Sequence, residues 1–221
     1  MPVVRTTFPD GTLQSESETM DDGITPHGTV RHWHPNGQLA EQSEWWQGRR
    51  HGSLSSWDER GQKRAVSQWI HGTQSGEAAS WHPNGQLQER GVFVAGMASG
   101  EWLHYYDTGV LRAQGSFGSA GAVGHWRHYH PSGRLQAEGD YAGRSKVGLW
   151  QEWDTAGNLS SRGAYVDNKP HGEWLWYYPN GTLRARAHYE QGNLQGIYEA
   201  YATDGRQMAR QKFVDGEPVD S

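Results

Sequence analysis

Cysteine is absent from this 221-residue chain, which excludes disulfides and thiolate metal sites and fits a reducing compartment. Apolar residues are scarce, at 34% with a mean hydropathy of −0.91, too few for a large closed core. No apolar run approaches the roughly 18 residues of a membrane span. The opening MPVVRTTFPDG has no apolar stretch after a basic one, so the expected location is cytoplasmic. Charge of one sign is also weak. The net charge is −5, and residues 1–30 carry five acids against one base, which leaves the remainder close to neutral. Runs long enough for helices are missing too, because glycine or proline interrupts the chain about every dozen residues.

What is present is aromatic and glycine-punctuated: 12 Trp, 10 Tyr and 30 Gly, far from a disordered composition. A glycine recurs every 24 residues at Gly28, Gly52, Gly76, Gly100, Gly124, Gly148, Gly172 and Gly196. Counting each as position 1, position 10 is glycine in all eight units, from Gly37 to Gly205, and positions 6 and 18 are always aromatic. A fixed period of this length marks a repeat architecture. Residues 1–27 form an atypical cap in which Phe8-Pro9-Asp10-Gly11-Thr12-Leu13 copies half a unit; repeats fill 28–216, and 217–221 is a polar tail.

Each unit reads as a β-hairpin, two β-rich runs around a turn such as Pro179-Asn180-Gly181, with the glycine in the left-handed position that closes a three-residue loop. The expected fold is all-β, an elongated antiparallel repeat sheet of eight 24-residue hairpins plus an N-terminal half-repeat. With positions 8–10 as the loop, position 6 faces 12 and position 3 faces 15. One face then carries positions 2, 4, 6, 12, 14, 16 and 18, uniform from unit to unit and hence structural. Small residues at position 16 (Gly91, Gly115, Gly139, Gly163) would let neighbouring rings lie flat.

The other face carries positions 3, 5, 7, 11, 13, 15 and 17 and varies freely, as a surface shaped for a partner does. The candidate partner-binding residues, of the types that dominate interface hot spots, are Trp102, Tyr106, Trp126, Trp150, Arg162, Trp174, Trp176, Tyr178 and Arg186. Two alternatives stand beside that reading. The tryptophans could cover one another and the arginine stems, and a bulge in the first strand would carry position 3 to the other side.

Chemistry is hard to place. No nucleophile elbow, phosphate loop or histidine-ligand helix occurs, so no catalytic residue, cofactor or small-molecule substrate is expected and the chain is read as a non-enzyme. The pairs His32/His34 and His128/His130 share strand faces, but equivalent strands of neighbouring units lie about 10 Å apart. Shared metal coordination is not expected across that gap. Arginines among aromatics near the C-terminus suit cation–π pairing, with Arg186 opposite Trp174 and Arg210 opposite Tyr198. The mild acidity argues against nucleic acid, and the lack of a basic amphipathic cluster outside the last two units argues against membrane.

The phrase Lys169-Pro170-His171-Gly172-Glu173-Trp174, followed by Tyr177-Tyr178-Pro179-Asn180-Gly181 and Leu183, resembles the MORN-variant repeat in the form found in YwqK-type antitoxins of bacterial polymorphic toxin systems. The resemblance covers about 28–216; Asp58-Glu59-Arg60-Gly61 and the stretch Phe117 to Gly124 depart from it most. It implies an immunity protein whose partner is a cognate toxin, neutralised by occlusion of the toxin's catalytic domain. The alternative is a structural or membrane-associated scaffold, which related repeats also build.

Overall fold

The structure, a computed structural model, describes residues 1–220. It forms two compact units, Met1–Gly109 and Val110–Ser221, divided within the fourth repeat. Every regular element among the described residues is a strand. The first unit is an antiparallel meander of β1 (Val3–Thr7), β2 (Leu13–Thr19), β3 (Pro26–Trp33), β4 (Leu39–Trp46), β5 (Arg49–Trp57), β6 (Lys63–Ile70), β7 (Thr73–Trp81), β8 (Leu87–Val94) and β9 (Met97–Tyr105). The second runs through β10 (Leu111–Gly118), β11 (Gly121–Tyr129), β12 (Leu135–Gly143), β13 (Ser145–Trp153), β14 (Leu159–Val166), β15 (Lys169–Tyr177) and β16 (Leu183–Glu190). It ends in β17 (Asn193–Leu194), β18 (Gly196–Tyr201), β19 (Gln207–Val214) and β20 (Glu217–Val219), with β17 and β18 both laid against β16.

Two turns alternate. The first is the expected three-residue loop: in the clearest copy Tyr178 N–H donates to Thr182 O at 2.8 Å and Gly181 N–H to Tyr178 O at 2.8 Å. All eight position-10 glycines have φ between 75° and 94°, a left-handed conformation in which a Cβ is strained. The second is a two-residue turn with both central φ values positive, as at Gln47-Gly48 and Gln191-Gly192, the kind whose twist matches a hairpin. Side chains tie each turn to the next. Asn36 Nδ2 donates to Glu59 O at 2.6 Å, and Asn180 Nδ2 to Thr203 O at 3.3 Å. His34 and His130 reach the carbonyls of Trp57 and Trp153, both at 2.9 Å.

The register departs from the simple one in two places, and both set where side chains point. Tyr177 faces Leu183 as expected, but Trp176 then faces Ala185, which leaves Arg184 at position 13 as an extra residue. The same shift recurs at Trp33, Trp57, Trp81, Tyr129, Trp153 and Tyr201. Beyond it, position 3 faces 16 instead of 15: Trp126 lies opposite Gly139, Trp150 opposite Gly163 and Trp174 opposite Ala187. A bulge does move position 3 to the other face, but it sits on the second strand and not on the first.

The second shift falls between repeats. Gly163 faces Trp174 and the next residue, Ala164, faces His171, so Gly172 and Glu173 are extra on β15. This accounts for the recurring glycine at position 1. Position 1 has positive φ in all eight units, from 63° to 113°. In the first unit the amides that follow are taken by carboxylates: Thr29 N–H donates to Glu18 and Ser53 N–H to Glu44, each at 2.8 Å.

Candidate functional site

Because residues alternate across a strand, the corrected register sorts each unit into two faces. Positions 3, 5, 14, 16 and 18 make an aromatic face, and its chemistry is consumed within the fold. Each position-3 indole lies on the glycine of the strand before it. A Cβ built on Gly91, Gly115, Gly139 or Gly163 would stand 2.1–2.4 Å from a ring atom of Trp102, Trp126, Trp150 or Trp174. The indole N–H groups donate to the carbonyl one residue past that glycine: Trp102 to Val92 (3.3 Å), Trp126 to Ser116 (3.2 Å), Trp150 to Asp140 (3.2 Å) and Trp174 to Ala164 (3.0 Å). Position-18 rings close the sides edge-on, as Tyr141 does against Trp150 with centroids 5.1 Å apart. The Lys146 ammonium caps Trp150 at 4.1 Å.

The candidate partner-binding set is therefore split. Trp102, Trp126, Trp150 and Trp174 are 5%, 5%, 1% and 6% exposed, so they present almost no surface; their assignment to the open, variable face is corrected. Trp176 is half-buried on the same aromatic face, 5.9 Å from Trp174 and 6.4 Å from Tyr189. Tyr106 and Tyr178 are half-buried at turn entrances, where Tyr106 O accepts from Gly109 N–H and Tyr178 OH donates to Tyr201 O, both at 2.9 Å. Arg162 and Arg186 are exposed on the opposite face. Arg186 faces Leu175 and Arg210 faces Glu199, so the expected pairs Arg186–Trp174 and Arg210–Tyr198 do not form.

The opposite face carries positions 2, 4, 15 and 17, and here units differ. In the first unit, Val66, Ala79, Val92 and Leu103 line a trough of about 680 Å³ edged by Glu77, Arg90 and Glu101. In the second, His125 stands between Glu138 and Asp140, 3.2 Å from each, and Arg127 reaches Glu138 at 3.2 Å. Burial pushes the Glu138 carboxyl up, but hydrogen bonds from His125 and Arg127 outweigh it and hold the group below its ordinary value.

The most constrained polar group of this face was not foreseen. Glu199, 8% exposed, sits in register between two arginines, facing Arg186 on β16 and Arg210 on β19. Arg186 Nε donates to Glu199 Oε2, and Arg210 Nε lies 3.6 Å from Oε1. Tyr201 OH adds a bond to Oε2 at 2.9 Å and Gln207 Nε2 one to Oε1 at 3.4 Å. The Arg186 guanidinium, then the Tyr201 hydroxyl, holds the Glu199 carboxyl below its usual range, and the Arg186 pKa is raised in turn. A cleft of about 300 Å³ opens here, lined by Glu173, Arg186, Ala187, His188, Ile197, Glu199 and Arg210. A glutamate between two position-15 arginines was readable in the sequence, but only with 4 paired to 15.

Among the described residues, no group of three or more His, Cys, Asp or Glu side chains is placed to hold a metal ion, and no helix is long and apolar enough to cross a membrane. The histidines at position 7 are engaged with carbonyls of the next repeat, as His82 is with Tyr105 at 3.0 Å.

Comparison with known proteins adds the following. The profile described as the MORN repeat variant matches residues 26–47, 74–95, 98–117, 122–142 and 170–191. No curated protein sequence matches the chain. Among solved structures it is similar to a chain of the TcdB2-TccC3-Cdc42 crystal structure, at 12% identity and TM-score 0.21, over 95% of this chain and 14% of that one. A chain of the TcdB2-TccC3 crystal structure aligns at 13% identity and TM-score 0.20, over 90% of this chain and 14% of the other. A chain of the Photorhabdus luminescens Tc holotoxin pore aligns at 11% identity and TM-score 0.21, over 95% of this chain and 15% of that one. The chain thus spans about a seventh of these chains, and likeness at that score assigns nothing.

Proposed function

We propose, from the premise that this chain is a MORN-repeat protein, that it is a non-enzymatic binding protein. In its most specific form it is the cytoplasmic immunity protein of a bacterial toxin, which it neutralises by covering the toxin's catalytic domain. The observation that carries the reading is the contrast between the two faces. One is repetitive, its indoles buried and their N–H groups bonded; the other is open and differs from unit to unit. A surface that the fold leaves unspent and unrepeated suits recognition of one partner. The narrowing to an antitoxin comes from the resemblance of residues 169–183 to the YwqK-type repeat.

The test starts from the reading frame next to this gene, whose product is co-expressed with this chain in a toxicity assay. The parent chain should restore growth and co-purify with the toxin at fixed stoichiometry. Charge reversals on the open face, Arg90→Glu and Arg162→Glu, should abolish protection in a folded protein, whereas Tyr189→Phe on the aromatic face should retain it. Absence of any protection removes the antitoxin reading. Salt-sensitive co-sedimentation with anionic vesicles in its place would support the scaffold.

A further inference from the structure

The ladder Arg186–Glu199–Arg210 has the build of a receptor. Its three residues are direct cross-strand partners, on β16, β18 and β19 in turn. Equivalent strands of successive hairpins lie about 10 Å apart, so two arginines at the same repeat position would ordinarily stand independently. Here both lean toward the carboxylate between them. That carboxylate is fixed in turn by Tyr201 and Gln207, and its side chain is only 11% exposed.

The mode of attachment matters. Both arginines approach Glu199 through Nε, while their side chains remain 50% and 55% exposed. The terminal nitrogens of each guanidinium, the fork that matches a carboxylate, are not the atoms of these contacts, and both side chains line the cleft. An arginine already tethered loses less side-chain freedom on binding than a free one.

We infer that Arg186 and Arg210, tethered to Glu199, form a two-pronged receptor for carboxylates on an acidic segment of the protein partner. The site rests on the reading of the chain as a binding protein and supplies the partner's chemistry. Arg162, one repeat earlier at the same position, and Lys212 beside Arg210 extend the cationic row, against which Glu173 faces His188. Ile197 gives the cleft an apolar side suited to peptide stems. A nucleic-acid strand fits less well, because sequence-tolerant binding of single strands combines cations with open aromatic platforms. The flanking indoles, Trp174 and Trp176, lie across the sheet, one 6% exposed and the other half-buried.

The test is calorimetric titration of the full chain with a hexaglutamate peptide at low salt, and in parallel with a single-stranded oligonucleotide. The peptide should bind saturably and more tightly than the oligonucleotide. The pair Arg186→Lys with Arg210→Lys keeps the charge and loses the forks, and should weaken peptide binding about tenfold. Arg186→Gln with Arg210→Gln should weaken it further, and Arg144→Gln, an exposed turn arginine, should leave it unchanged. Thermal melts establish that each variant is folded. Failure of the peptide to bind, equal binding by the lysine pair, or tighter binding of the oligonucleotide would each overturn the proposal. Co-expression separates this site from the broader reading. Full protection by the glutamine pair removes the site from the toxin interface, and no protection by the parent chain strikes the antitoxin reading while the peptide result stands.

Discussion

Replacing Gly139 by alanine adds one methyl group at the point where the fold has least room. Gly139 is buried on β12, and its added Cβ would lie 2.4 Å from Trp150 Cδ2 and 2.5 Å from Cε2 and Cγ. All three belong to the indole core, so no flexible tip can swing aside. Ordinary contact between carbons begins near about 3.5 Å, and the ring must rise by about 1 Å. Trp150 cannot do so cheaply. It is 1% exposed, its N–H is bonded to Asp140 O at 3.2 Å, and Tyr141 and Tyr165 stand edge-on at 5.1 and 6.3 Å.

Overpacking costs about 1–3 kcal/mol and a lost buried hydrogen bond about 1–3 kcal/mol, so a loss of roughly 2–4 kcal/mol is expected after partial relaxation. That lowers the unfolding midpoint by roughly 4–16 °C in a protein of this size. Backbone strain does not enter, because Gly139 is not among the positive-φ glycines. The assay is thermal unfolding with near-UV circular dichroism, which reports the indole environment. Hydrogen exchange should place the loosening on β12 and β13, since repeats contact only their neighbours. The decisive control is a double-mutant cycle. Trp150→Ala alone should cost about 3–5 kcal/mol, but in that background Gly139→Ala should cost almost nothing because the ring it strikes has gone. Additive effects, or a single mutant within about 0.5 kcal/mol of the parent with an unchanged near-UV spectrum, would refute the stacking argument.

Trp126→Ala combined with Trp150→Ala should destabilise the second unit by several kcal/mol, about 3–5 for each ring, with loss of cooperative melting. The same pair on an open recognition face would have left the melt unchanged. Tyr178→Phe should cost about 1 kcal/mol by removing its bond to Tyr201 O, seen as faster exchange in β18. The Glu199 carboxyl is held below its ordinary value of 4.5 in the folded chain, so its contribution to stability is complete above that value and is lost as pH falls through the lowered one. Exchange in β18 and β19 should therefore quicken as pH falls below the ordinary carboxylate value, and Glu199→Gln should flatten that dependence.

The hairpins, both turn types and the period were legible because each depends on local chemistry: Pro-Asn-Gly presets a loop, and a left-handed position requires glycine. The facing of side chains was not, because it depends on one residue of offset, and a one-residue slip carries a whole strand to the other face. The extra residue at position 13 has no signature of its own; it is Ala40, Arg64, Gln88 or Arg184 with equal geometry. A longer-range signal is nonetheless present in the sequence. Each position-16 glycine, Gly91, Gly115, Gly139 and Gly163, is followed eleven residues later by a tryptophan, while Ser43 and Ser67 are followed by Leu54 and Ala78. That coupling makes sense only if positions 16 and 3 touch across neighbouring strands. The serines complete the logic: where no indole arrives from the next repeat, Ser43 and Ser67 accept the N–H of their own Trp45 and Trp69, at 2.9 and 2.8 Å. The two halves of the chain thus solve one packing problem with different residues, and in both the solution occupies the aromatic face. What is left for recognition is the opposite face, where Glu199 is the sole position-4 glutamate and stands between the position-15 arginines Arg186 and Arg210.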